Sequence, residues 1–313
     1  MEKYKPFKII VHNDLDGGAS AICIANHIKF KYGEDANYSI AFKTYQNINQ
    51  YVEQILNKSD SFEKVFIADI SVEEYLAKDF PDNFILLDHH DTAKELDGLN
   101  KCIVDTDGNH CGASLCYYHL LKNGGFPHKH LKKLVAVSRD YDLWIHKLPN
   151  KVAKNLNFLY YKYWGEKFCI KFMDGFNGFD DDEKEYLRNK WNCVKDEIEK
   201  TEIIDLLESE NGHEGKIGLA ILPNNKAEVN EICEHALDTL GYNIIITVNS
   251  KDRKLSIRAD SIAEEKGFHV GNLNDELGIG GGHCRAGGAS FTDDDHLETI
   301  CESYVEKIIE LGI

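Results

Sequence analysis

The chain of 313 residues lacks the marks of several protein classes. No apolar stretch approaches the roughly 20 residues that a bilayer-spanning helix needs, which argues against a membrane role. The start, MEKYKPFKII, has neither the long apolar run nor the small-residue cleavage site of a signal peptide. No tract of low complexity, or rich in proline and glycine, suggests disorder. The nine cysteines are odd in number, scattered and never spaced C-x-x-C. They read as reduced, mostly buried thiols of a cytoplasmic protein. Positive charge is also scarce: 36 basic residues face 53 acidic ones, a net charge of −17. Such a surface repels long nucleic acids, whose binding draws on many Lys and Arg contacts to phosphate. Long duplexes are therefore disfavoured as partners. A short polyanion whose charge is met locally is not.

What is present suits a globular protein of one large or two ordinary domains, with 42% apolar residues to build cores. In the first half, "KIIV" (8–11), "KVFIAD" (64–69) and "NFILLD" (83–88) read as buried strands, each ending at a polar residue. Helical spacing fills the gaps, in "GASAICIANHIKFKYG" and "NINQYVEQILN", and again in 110–122. That alternation predicts a parallel sheet with helices on both faces, whose function gathers at the carboxyl ends of the strands. His12, Asp14, Asp16, Asp69 and Asp88 all fall there, and the apolar run 131–144 ends on acids as well. The charged stretch 181–211 has no glycine and suits a connecting helix. Strands then follow at "IGLAIL" (217–222), "YNIIITVNS" (242–250) and "KLSIRAD" (254–260), with a glycine cluster and a final helix near 296–311. The expected division is 1–190, a helical linker at 191–214, and a smaller α/β domain at 215–313.

The opening cluster "HNDLDG" (12–17) sets three metal-capable side chains almost side by side. Carboxylate oxygens and imidazole nitrogens without cysteine suit Mn²⁺, Mg²⁺, Fe or Zn, and not a structural zinc site. It is not an EF-hand, because the ligand spacing and the twelfth-position Glu are missing, and "DTDGNHCGASLC" (105–116) fails the same test. Taken alone, the acids could cap helices: Asp16 or Ser20 the helix that follows, Asp69 the next, and "DHHDT" the segment "AKEL". Four acidic or His-rich ends in one sheet are harder to explain in that way. The "GIGGGH" run (278–283) is not a dinucleotide fingerprint, since it lacks the third glycine and does not open from a first βαβ unit. The aromatics of "FLYYKYW" (158–164) suit core packing better than base stacking.

The ordered set "HNDLDG", "AD" (68–69), "DHH" (88–90) and an acid near 140, with "SIR" (256–258) and "GGGHCRAGG" (280–288) downstream, resembles the DHH phosphoesterases and their associated C-terminal domain. The resemblance implies an N-terminal parallel-sheet α/β DHH domain, a smaller C-terminal α/β domain and an active site in the cleft between them. It implies two divalent metal ions, Mn²⁺ first, with Mg²⁺ or Co²⁺ as substitutes. His12 and Asp14 would bind one ion, Asp16, His89 and Asp140 the other, and Asp69 would bridge them. Asp142 is the alternative to Asp140. His90 would touch the scissile phosphate, and with Asp69 it completes the expected catalytic pair. Arg258 and His283 would hold substrate phosphates, while Gly280, Gly281 and Gly282 let the backbone approach them. The spacing His12-x-Asp14-x-Asp16 is similar to that of the family's exonuclease and oligoribonuclease branches. The implied substrate is thus a short oligonucleotide, cut to 5′-mononucleotides. The alternatives are 3′-phosphoadenosine 5′-phosphate, a cyclic dinucleotide, or a metal-dependent nucleotide-binding module without catalysis. A homodimer stays open.

Overall fold

The strand–helix alternation of the first half builds a parallel sheet in the computed structural model, which describes residues 4–122, 129–145, 151–207, 215–224 and 227–313. The chain divides into a unit ending at Leu187 and a unit running from Arg188 to Ile313. In the first unit come β1 (Phe7–His12), α1 (Leu15–Tyr32), β2 (Tyr38–Lys43), α2 (Ile48–Leu56), β3 (Val65–Ala68), α3 (Glu74–Lys78), β4 (Phe84–Asp88) and β5 (Cys102–Val104). Helices α4 (Gly112–Cys116), α5 (Lys129–Asp142), α6 (Val152–Tyr163) and α7 (Glu166–Lys171) follow. Helix α8 (Asp181–Lys200) carries the chain from one unit into the next.

The sheet order is β2-β1-β3-β4-β5, with every neighbouring pair parallel. Each strand presents its two sides to different layers, because successive side chains alternate across a sheet. Ile10, Val65, Ile67 and Leu86 pack with Ile48, Val52 and Ile55 of α2 and Leu76 of α3. Phe66 points the other way, and its ring lies 6.0 Å from that of His27 on α1. Burial on both faces explains why β3 is apolar throughout, with all four residues buried. In this strand order the chain reverses direction across the sheet between β1 and β3, where a crevice opens at the carboxyl ends. The aromatic run is core, as expected, at Phe158 and Tyr160, while Tyr161 and Trp164 are exposed.

The second unit contains β6 (Glu202–Asp205), β7 (Ile217–Ile221), α9 (Val229–Asp238), β8 (Ile244–Asn249), β9 (Lys254–Ala259), α10 (Ser261–Glu265), α11 (Val270–Glu276), β10 (Gly280–Gly282), β11 (Ala286–Ser290) and α12 (Asp294–Leu311). Its sheet runs β10-β11-β9-β8-β7-β6, parallel only between β7 and β8. The core sets Ile244, Ile246 and Ile257 against Ile300, Tyr304 and Ile308 of α12.

Two expectations need correction. The helix expected across 181–211 stops at Lys200, and β6 pairs antiparallel with β7. The β-branched pair Ile203–Ile204 suits a strand, and Ile203 packs beside Tyr242 and Ile245. The apolar run at 131–144 is no strand either. Leu131, Leu134, Val135 and Ser138 recur at helical spacing and are the buried face of α5. None of the nine cysteines is in a disulfide, and seven are buried.

Ile67 lies at the centre of the buried middle strand. Ile67→Ala should therefore lower unfolding free energy by about 2–5 kcal/mol in urea titration. A loss below roughly 1 kcal/mol would mean that the strand is not packed on both faces.

Candidate metal centre

Each acid of the first unit reaches the sheet edge by a local feature of the chain. Past the end of β1, Asp14 caps α1: its Oδ1 accepts from Gly17 N at 2.9 Å, and its Oδ2 lies 2.7 Å from His12 Nδ1. The cap is thus Asp14, neither Asp16 nor Ser20. Asp69 follows β3 with φ 58°, a left-handed conformation uncommon outside glycine, and its amide donates to Leu87 O at 3.0 Å. That turn leaves its carboxylate buried, with Oδ1 3.2 Å from His89 Nε2 and Oδ2 without a hydrogen-bond partner. Asp88 ends β4, and its Oδ1 accepts from His89 N and lies 2.8 Å from His90 Nδ1.

Asp16 is braced from two elements, at residues the sequence reading had not singled out. Ser138 of α5 donates to its Oδ1 at 2.8 Å, and Ala113 N at the start of α4 donates to the same oxygen at 3.2 Å. Gly112 permits that approach. A Cβ there would lie 2.5 Å from Asp69 Cβ and 2.9 Å from Asp16 Oδ2.

Ser138 also explains which fourth acid joins the cluster. Residues four apart share a helix face, and Asp142 is four residues beyond Ser138. Its Oδ2 lies 3.4 Å from His89 Nε2. Asp140, two residues from each, projects elsewhere on α5, where it is buried. The structure therefore brings Asp142, the alternative, to the position for which Asp140 was favoured.

Three groups offer donor atoms within 4.8 Å of one another: His12, Asp14 and Asp69; Asp16, His89 and Asp142; and Asp69, Asp88, His89 and His90. All donors are oxygen or imidazole nitrogen, suited to hard or borderline divalent ions. Buried oxygens without partners, Asp69 Oδ2 and Asp88 Oδ2, are what a cation would satisfy. The residues fit a metal.

The electrostatics agree. Burial, then Asp16, Asp14 and further carboxylates, pushes Asp69 well above the usual carboxylate range. Burial followed by Asp16 and Asp14 does the same to Asp142. Burial also opposes ionisation of Asp14, but His12 and Gly17 N outweigh it and hold that carboxyl at about 2. His90 is pulled down by burial, yet Asp88 prevails and raises it to about 9. Tyr45, just beyond β2, lies with its ring centroid 5.6 Å from that of His12 and 6.0 Å from that of His90. Partial burial beneath an exposed face, then Asp88 and Asp69, pushes its phenol above its ordinary value.

In the second unit, Arg258 of β9 is half-buried, donates from Nη2 to Asn230 Oδ1 at 2.8 Å, and pairs in register with Ala286. His283 turns the β10–β11 hairpin, its amide donating to Ala286 O at 2.7 Å. Gly280, Gly281, Gly282 and His283 are exposed. Gly282 has φ 150°, and a Cβ there would meet Ala286 O at 2.4 Å. Asp260 caps α10 and is not the hydrogen-bond partner of Arg258.

A cluster of carboxylates and imidazoles thus stands at the switch point of a parallel sheet, and a mixed-sheet unit with a glycine hairpin follows it in the chain. Residues 216–310 match the model of the DHHA1 domain. The chain is 26% identical over 329 residues to the oligoribonuclease NrnB of Bacillus subtilis (strain 168), covering 95% of this chain and 76% of that one. Among solved structures, the DHH domain of a member of a family of ribosomal proteins aligns at TM-score 0.68 and 13% identity, over 98% of this chain and 87% of that one. RecJ of Thermus thermophilus, in complex with Mn²⁺, aligns at TM-score 0.59 and 12% identity, over 97% of this chain and 52% of that one. The second unit thus matches the DHHA1 domain, and over its length the chain is similar to a curated oligoribonuclease and shares its fold with DHH-domain structures. Among the described residues no helix is long and apolar enough to cross a membrane.

Asp69 and Asp142, with raised values, and His90, raised from 6.5 to about 9, all bind protons better in the folded chain than in the unfolded one. Stability of the metal-free protein should therefore fall as pH rises between 6.5 and about 9. Thermal melts in chelator would read it, and a flat or rising profile would contradict this account of the cluster. Gly112→Ala should push α4 away from Asp16 and Asp69, and lower metal affinity about 10–100-fold by calorimetry, as loss of second-layer support does elsewhere. Unchanged affinity would mean that α4 does not brace the site.

Proposed function

We propose that the chain is a metal-dependent phosphodiesterase that trims short oligonucleotides to 5′-mononucleotides, using two divalent ions, Mn²⁺ by preference. The observation that carries this reading is the pair of ligand groups, His12–Asp14–Asp69 and Asp16–His89–Asp142, tied together by the 3.2 Å contact of Asp69 with His89. In it Asp69 would serve both ions, and Asp142 would take the place given to Asp140 by the resemblance. Such ions supply an activated water and offset charge at phosphorus.

The chain's own residues do the rest. Asp69, fixed by its left-handed backbone, sets the separation of the two ligand groups. His90, held as imidazolium by Asp88, donates to a non-bridging phosphate oxygen as charge develops there. Ser138 and the amide of Ala113 fix the Asp16 carboxylate in the orientation in which it would bind an ion. Arg258, His283 and the exposed backbone of Gly280, Gly281 and Gly282 bind phosphates away from the bond that breaks. That contact supplies positive charge which a chain of net −17 otherwise lacks. The relative from Bacillus subtilis, an oligoribonuclease, supports short RNA as the substrate.

The test is a panel with Mn²⁺: di- to pentanucleotides, 3′-phosphoadenosine 5′-phosphate and cyclic dinucleotides. Linear oligomers should be consumed fastest. Preference for the bisphosphate would replace this reading with a phosphomonoesterase. Binding without turnover of any of them would leave a regulatory module. On the preferred substrate, Asp69→Ala and Asp142→Ala should each lose bound metal. Their turnover should fall by at least the roughly 10–100-fold that loss of an outer metal-site partner costs. Asp140→Ala should do neither. If Asp140→Ala lost metal while Asp142→Ala kept it, the two acids would exchange roles.

A further inference from the structure

Tyr45 is 46% exposed although its ring lies beside both His12 and His90. Scattered exposed aromatics are ordinary on a protein surface and need no explanation. This one differs in what it touches. Among the described residues, it is the exposed large aromatic whose ring meets imidazoles of the acid cluster, tilted 57° to His12 and edge-on, at 85°, to His90.

Its placement is also fixed. Thr44 N donates to Asn47 Oδ1 at 3.0 Å, while Asn47 N and Ile48 N both donate to Thr44 O at 3.0 Å. Tyr45 thus stands at the second position of a turn closed by backbone and side chain, seated on the N-terminus of α2. Strand β2 ends at Lys43, which is in register with His12, so the turn begins level with the first metal-capable residue. A half-exposed ring on a rigid turn at that level offers an aromatic surface to whatever brings a phosphate to the cluster. Nucleobases stack on such surfaces with little regard to sequence.

We propose that Tyr45 is a substrate-contacting residue, the stacking platform for the base of the nucleotide whose phosphate reaches the acid–imidazole cluster. The proposal rests on the phosphodiesterase reading above and adds what a small inorganic ester would not reveal: the site recognises a nucleoside through its ring. The ring, and not the phenol hydroxyl, makes the contact.

Calorimetry with adenosine 5′-monophosphate and ribose 5-phosphate tests binding apart from turnover. Wild type should bind the nucleotide about tenfold or more tightly than the sugar phosphate, since stacking on an aromatic ring is worth roughly that much. Tyr45→Ala should erase the difference, and Tyr45→Phe and Tyr45→Trp should restore it. Kinetics on a dinucleotide and on its abasic counterparts, with the base removed from one nucleoside or the other, should show the Tyr45→Ala loss chiefly where the base is present. Three results would each overturn the proposal: an equal loss on intact and abasic substrates, loss of metal from Tyr45→Ala, or a Tyr45→Phe protein as impaired as Tyr45→Ala. Wild type inactive on every dinucleotide would instead sink the phosphodiesterase reading. The calorimetric comparison would still decide whether Tyr45 stacks.

Discussion

Four carboxylates, those of Asp14, Asp16, Asp69 and Asp142, gather at one edge of a parallel sheet, near enough that Asp14 and Asp16 oppose ionisation of Asp69 and Asp142. Like charges gathered away from water are unfavourable unless paired, so such a cluster persists only if the surrounding fold holds each member in place. The remaining features of the first unit can be read as answers to that demand. A left-handed residue after β3, a helix cap after β1, a serine on α5 and the first turn of α4 each fix one acid. The sheet supplies the common edge, and burial on both of its faces makes that edge stiff.

Much of this was legible in the sequence because strand ends are legible. A short apolar run that stops at Asp or His marks both the strand and the residue it presents, and Asp69 and Asp88 were found in that way. Asp142 was harder. Its run was read for hydrophobicity and not for helical period, and on a helix a shift of two residues turns a side chain to a different face. Ser138 marks the face of α5 that Asp142 shares, but a serine inside an apolar run carries no visible signal until Asp16 is seen beside it. Strand β6 was lost for the opposite reason. It is four residues long, its two isoleucines are flanked by acids in a charged stretch, and its pairing with β7 is visible only in the fold. Strands β2 and β5 went unread too, since β2 is only half-buried and β5 is three residues long.

The second unit solves a different problem. Its mixed sheet ends in a hairpin of glycines, so the surface offered there is main chain rather than side chain. Exposed amides carry no net charge and do not titrate. Under the proposed reading they would receive an anion in a strongly acidic chain without a cluster of lysines. Arg258, seated one strand away and steadied by Asn230, adds a single fixed positive charge.

The cysteines carry a consequence of another kind. Seven are buried, and burial raises the thiols of Cys23, Cys111 and Cys116 around α1 and α4 above their ordinary range. The thiolate is the form that oxidants and alkylating agents attack. A chain built with its sulfur protonated and inside should keep its core through oxidative exposure that modifies surface thiols. Cys193 is the exposed one, and it sits on α8, the helix that carries the chain from the first unit to the second. The most exposed thiol thus lies on the connection between the units, with half-buried Cys284 the only other one outside the core, and well separated in sequence from the residues that gather at the sheet edge.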